Sequence, residues 1–143
     1  MLKPIDLSQL ELMENFPGLN VQFPIHSGTG TAASAVVYFE VDPGSQLPTH
    51  TDSSEETLLV LAGEGEAWVG DETARMTEGQ LAVVPAMAPH GIRNTGSEVL
   101  RCVGFFAGST VVHQFPKTPD GPQVFVTGAS VPIALPLGEP ASV

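Results

Sequence analysis

The sequence holds a single cysteine, Cys102, in 143 residues. No intrachain disulfide can form, and the cysteine usage gives no sign of an oxidising compartment. With Val99 and Val103 close by, the thiol reads as a small buried group on a strand. Basic residues are almost as scarce. Lys3, Arg75, Arg93, Arg101 and Lys117 stand against 16 acidic residues, for a net charge of -11. Phosphate backbones and anionic membrane surfaces are bound through basic patches, so neither nucleic acid nor a membrane is expected as a partner. No stretch approaches the ~20 apolar residues of a membrane span. The opening MLKPIDLSQLELMENF lacks both the long apolar run and the small-residue cleavage site of a secretory leader. A cytoplasmic location is therefore expected. A glycine-rich phosphate loop, a G-x-S-x-G elbow and paired cysteines are also missing, which sets aside the chemistries they serve.

What is present is ordinary globular material, 42% apolar and 15% charged, of a length that suits one domain over 1–143. Gly 15 and Pro 13 are high, as many short strands joined by turns require. Ile5, Leu7, Leu10 and Met13 are spaced for a short helical turn or two, starting near Asp6 or Ser8 and broken at Phe16-Pro17-Gly18. Residues 21–25 predict a strand that Pro24 confines to an edge, and 28–31 a flexible turn. Strands are expected at 35–41, 57–62, 66–69, 73–76, 80–84, 91–94 and 99–106, with a hairpin turn at Gly63-Glu64-Gly65. Residues 123–127 form a further candidate strand. Turns at this spacing without an internal helix predict an all-β sandwich or barrel. Its core is expected over about 33–108, between an N-terminal extension (1–32) and a proline-rich C-terminal segment (117–143) whose last ~10 residues read as an extended tail. Trp68, Tyr38, Phe39, Phe105 and Phe106 read as barrel filling.

The stretch 44–94, GSQLPTHTDSSEETLLVLAGEGEAWVGDETARMTEGQLAVVPAMAPHGIRN, carries the chemistry. His50 and Asp52 are two apart and share one face of a strand. Glu56 opens the next apolar strand in phase with Leu58 and Val60, which leaves Glu55 pointing to solvent. His90 opens a third strand. Two imidazoles with one or two carboxylates make a mixed nitrogen and oxygen site suited to iron, manganese, nickel or zinc rather than calcium or magnesium. Asp52 is short, and could bind a metal directly, bind through water, or hydrogen-bond a histidine. His26 and His113 are expected to be structural or surface residues, and Arg93 a surface charge.

Gly44, His50, Glu56 and Gly63 are spaced as in the first motif of the cupin superfamily: glycine, five residues, His-x-His, three or four residues, glutamate, six residues, glycine. Gly79, Pro85, His90 and Asn94 match its second: glycine, five residues, Pro-x-Gly, two residues, histidine, three residues, asparagine. Asp52 stands where the second histidine of the first motif belongs, and Met87 replaces a turn glycine. The chain thus resembles a small single-domain cupin. The resemblance implies a double-stranded β-helix, or jelly-roll barrel. It implies a divalent transition metal at His50, Glu56 and His90, with Asp52 as fourth ligand or one shell out, a small-molecule substrate or ligand, and a homodimer. Dioxygenase-like chemistry on a small organic substrate is the leading expectation. A metal-dependent isomerase or lyase and a non-catalytic sensor or binding module are the alternatives.

Overall fold

A computed structural model describes residues 2–127. Twelve strands follow in order: β1 (Met13–Phe16), β2 (Leu19–Ile25), β3 (Ala35–Val41), β4 (Gln46–Asp52), β5 (Glu56–Ala62), β6 (Glu64–Val69), β7 (Glu72–Thr77), β8 (Leu81–Val84), β9 (His90–Asn94), β10 (Leu100–Phe106), β11 (Val112–Phe115) and β12 (Gln123–Val126). They form two six-stranded antiparallel sheets, ordered β1-β2-β3-β10-β5-β8 and β12-β11-β4-β9-β6-β7. This is the expected jelly roll. Among the described residues no helix is long and apolar enough to cross a membrane.

Alternation aims the core. On β3, Ala35, Val37, Phe39 and Val41 point inward, paired across β10 with Phe106, Gly104, Cys102 and Leu100. The same row continues through Glu56, Leu58 and Val60 of β5. Cys102 is fully buried, as expected, and burial, with the Glu56 charge adding to it, pushes its thiol up to about 12. The core also takes Phe16, Leu19, Val111, Phe115 and Phe125, all outside the 33–108 span, because β1, β2, β11 and β12 complete the sheets on either side of it.

Several local expectations are corrected. The helical spacing at 5–14 yields only a 3-10 turn, Leu7–Gln9, whose Asp6 cap accepts from the Ser8 N–H. Met13 to Phe16 is strand, and Pro17-Gly18 turns it into β2. β2 begins earlier than expected and is covered by β1 at residues 19–21, while 22–25 have no strand on that side among the described residues. Pro24 is tolerated because it lies beyond that pairing, in the irregular stretch where β2 slips register against β3. The 28–31 turn is held by a capping box, with His26 Nδ1 accepting from Gly28 N–H and Thr29 Oγ1 from His26 N–H.

Gly63-Glu64-Gly65 is not a hairpin turn. β5 and β6 lie in different sheets, and Gly63 (φ +87°) turns the chain from one to the other against the backbone of Val99 and Leu100. Not all of the expected barrel filling lies inside. Phe105 is 45% exposed on the outer face, and Trp68 is half-buried and donates to Thr49 Oγ1. Tyr38 is buried, but its hydroxyl donates to Glu40 and accepts from Arg101 Nε on the side of β3 away from Val37 and Phe39. The expected tail at the C-terminus lies outside the described residues.

Met87 is the one described non-glycine residue with positive φ, +65°. It sits in the 85–88 turn before β9, where its N–H donates to Asp52 O at 2.8 Å. A side chain there is strained, which is why a glycine fits the motif. Met87→Gly should stabilise the protein by about 0.5–1 kcal/mol, the steric relief outweighing the added unfolded-state entropy. Urea unfolding of both proteins reads this directly, and a loss of stability would show that the Met87 side chain contributes more than its backbone costs.

Candidate metal centre

The site begins with a bulge. β4 pairs Leu47 with Ile92 and His50 with His90, so β4 spends one residue more than β9 over the same rise. Pro48, which has no N–H to offer a ladder, lies in this irregularity. The extra residue lets Leu47 and His50 both face inward. Asp52 follows on the same face, 1% exposed. On its other side β4 pairs with β11, which sets His113 directly opposite Asp52. His90 and Asp52 thus approach from β9 and β4, and Glu56 arrives from the opposing sheet on β5.

Both motif histidines are oriented alike. His50 Nδ1 lies 2.8 Å from Pro48 O, and His90 Nδ1 lies 2.8 Å from Ala88 O. A carbonyl only accepts, so each Nδ1 carries a proton and each Nε2 is the nitrogen turned to the site. His50 Nε2 lies 3.5 Å from Asp52 Oδ1, and His90 Nε2 lies 3.0 Å from Asp52 Oδ2 and 3.3 Å from Glu56 Oε1. One donor atom each from His50, Asp52 and His90 falls within a 4.8 Å cluster. Glu56 lies outside that tightest trio but against His90.

Among the described residues, two buried atoms here, Asp52 Oδ2 and His90 Nε2, face only each other at 3.0 Å, and with the His90 proton on Nδ1 both are acceptors. Orphaned buried polar atoms are costly and call for an explanation. A second proton on His90 supplies one in the metal-free protein, and a metal cation between the two atoms supplies another. Donors ~2.1 Å from a common ion stand about 3.0–3.4 Å apart, close to the separations found. The residues present therefore fit a divalent transition metal, with His50, His90, Asp52 and Glu56 as the available donors.

Electrostatics agrees. Burial alone would raise the Asp52 carboxyl, but the hydrogen bond from His113 and the imidazoles of His50 and His90 outweigh it and hold Asp52 far below the ordinary carboxylate range. Burial alone would lower His90, but the Asp52 and Glu56 carboxylates outweigh that and raise it to about 10. Asp52 also has a support that sequence reading set aside. His113, expected to be structural or at the surface, is buried, donates through Nδ1 to Asp52 Oδ1 at 2.7 Å, and meets Thr127 Oγ1 at 3.2 Å through Nε2. No motif marks it. The alternation Val111, His113, Phe115 does, since all three are buried while Gln114 is exposed. His26 caps its turn away from the site, Glu55 is exposed, and Arg93 pairs at the surface with Glu66 at 3.0 Å.

His50, Glu56 and His113 also line a cavity of about 90 Å³ whose other walls include Phe16, Phe23, Phe39, Phe106, Phe115 and Phe125. Phe115 stacks on the His50 ring with centroids 4.6 Å apart and 15° between planes. Gly104 leaves room for Glu56, because a Cβ there would overlap Glu56 Oε2 and crowd Val37.

His90 also sets a pH dependence. Its pKa is about 10 in the fold against an ordinary 6.5, so its contribution to stability is complete below pH 6.5 and is lost as the pH rises through about 10. In metal-free protein the urea midpoint should fall over that interval. His90→Gln should flatten the fall, and an unchanged slope in the variant would show that another group is responsible.

Residues 37–106 match the family described as cupin domain. Among curated proteins none matches the chain. Solved structures of similar fold include the polyketide cyclase RemF from Streptomyces resistomycificus, 21% identical, with a TM-score of 0.65 over 74% of this chain and 79% of that one. The oxalate decarboxylase of Lactobacillus farciminis, in a formate complex, is 23% identical with a TM-score of 0.66 over 72% of this chain. A variant of salicylate 1,2-dioxygenase from Pseudoaminobacter salicylatoxidans is 18% identical with a TM-score of 0.56 over 64%. This chain spans only 32% and 26% of those last two proteins. Two sheets in jelly-roll order and paired motifs converging on one buried cluster agree with the family match: residues 37–106 of this chain are a cupin domain.

Proposed function

We propose that this protein is a metal-dependent enzyme that carries out dioxygenase-like chemistry on a small organic substrate. The observation that supports this best is the buried pair Asp52 Oδ2 and His90 Nε2, facing each other at 3.0 Å at the centre of a two-histidine, two-carboxylate donor set beside an apolar cavity. A redox-active divalent metal held by such donors with coordination positions left open supplies oxygen activation. The residues of the chain do the rest. His50 and His90 present Nε2 because Pro48 O and Ala88 O fix their rings. His113 holds Asp52 in place through Oδ1, leaving Oδ2 free for the metal. The phenylalanines exclude water and hold the substrate against the donors. A polyketide cyclase, a decarboxylase and a dioxygenase share this fold. The second carboxylate departs from the two-histidine, one-carboxylate set of oxygen-activating iron, which leaves a runner-up in which the metal acts as a Lewis acid, in an isomerase or lyase. A homodimer and a cytoplasmic setting belong to the same reading.

Elemental analysis after expression in iron-, manganese-, nickel- or zinc-supplemented medium should find one such metal per chain. His90→Ala should abolish tight binding. His113→Phe should weaken it by roughly 10–100-fold by freeing Asp52, while His26→Phe leaves it unchanged. Oxygen uptake with a panel of diketones and phenols separates the readings. Metal-loaded protein that never consumes oxygen points to Lewis-acid chemistry, and protein that takes no metal points to a binding module.

A further inference from the structure

Among the described residues, the cavity wall contains no lysine and no arginine. The basic residues are committed elsewhere: Arg75 to Glu64, Arg93 to Glu66, and Arg101 to Tyr38, while Lys3 and Lys117 are exposed. An anion entering this space would lose its hydration and find no cationic side chain to replace it. The metal would not serve instead. With neutral imidazoles, the charge of a divalent ion is cancelled by Asp52 and Glu56, whereas a histidine at position 52 would leave the site with one positive charge. The remaining titratable wall group, His113, is already bonded to Asp52. The whole-chain charge of -11 also repels anions on approach.

The wall is shaped for flat rings. Phe115 lies against Phe16 with centroids 4.9 Å apart and meets Phe125 edge-on at 5.7 Å and 87°. Phe23 lies 5.1 Å from the His113 ring. Aromatic surfaces in these tilted and edge-on geometries favour another ring over an aliphatic group of equal size. Asn15 and Gln22 are the other polar wall residues, and each carries a neutral amide. We propose that the cavity takes an uncharged aromatic molecule and discriminates against aromatic carboxylates. This names the substrate class of the site above, and so rests on the proposed function.

The test compares benzamide with benzoate, which share a shape and differ in charge, and with cyclohexanecarboxamide, which keeps the amide but lacks the ring. Binding is measured by isothermal titration to the full chain, both metal-free and zinc-loaded, with metal content determined on the same samples. Benzamide should bind at least about tenfold tighter than benzoate, and several-fold tighter than the saturated amide. In zinc-loaded Asp52→Asn, which removes one negative charge and keeps the shape, the preference over benzoate should shrink. Glu56→Gln serves the same purpose if Asp52→Asn does not fold. Benzoate binding as well as benzamide, the saturated amide binding as well as benzamide, or no binding of any probe overturns the proposal. Protein that binds benzamide selectively but takes no metal refutes the proposed function and leaves this inference standing. Protein that takes zinc but accepts benzoate equally does the reverse.

Discussion

A carboxylate with 1% of its surface exposed must be paired, and Asp52 is paired by the architecture rather than by chance neighbours. It sits on β4, which has a strand on either side carrying an imidazole. β11 sets His113 opposite Asp52, and β9 sets His90 opposite His50, two residues back along the strand. A register slip of one residue in either ladder would turn these rings to the outer face. The Met87 N–H bond to Asp52 O adds a third tie, from the turn that leads into β9. The site thus depends on sheet register, and the register depends in part on keeping this charge satisfied.

The opposing sheet contributes differently. Glu56 is the one donor from β5, and it reaches inward only because β10 offers a glycine beside it. A methyl group at residue 104 would compete with the carboxylate for the same space. On the His50 and His113 side of this polar centre the packing is largely aromatic, and on the His90 side it is largely aliphatic. Phe115 covers one face of His50, and Phe106 meets His113 edge-on with centroids 5.5 Å apart. A low-dielectric shell strengthens each charge interaction inside it and raises the cost of leaving Asp52 Oδ2 and His90 Nε2 unpaired. So dry a centre favours a positive charge between Asp52 and His90, whether a second proton on His90 or a bound metal ion.

How much of this was legible in the sequence follows from the range of the interactions involved. His50, Asp52, Glu56 and His90 could be read because their spacing is local, measured against glycines and prolines that mark turns. Strand β3 could be read because alternation over seven residues is unambiguous. His113 was passed over because its partner lies 61 residues away in sequence, and no local pattern encodes that pairing. Its parity with Val111 and Phe115 was visible, but parity reports a face and not what the face meets. The bulge at Pro48 was invisible for a related reason, since a bulge exists only relative to the partner strand. Gly63 misled because glycines flank hairpins and sheet-to-sheet corners alike. Phe105 misled because a large aromatic on a strand says nothing about which side it takes.

The aspartate at position 52 changes more than one ligand. A histidine there would be neutral and could be held by a single carbonyl, as His50 and His90 are. An aspartate adds a buried negative charge, and β11 answers it with a histidine of its own, braced in turn by Thr127, whose hydroxyl donates to Val111 O at 2.9 Å. Thr127 and Val111 exchange further bonds through Thr127 N–H and Val111 N–H, so His113 rests on a rigid joint between β11 and β12. One replaced residue in the first motif therefore accounts for a support that reaches to the far edge of the second sheet. It also accounts for the balance of charge at the centre, where two carboxylates rather than one face the space a divalent ion would fill.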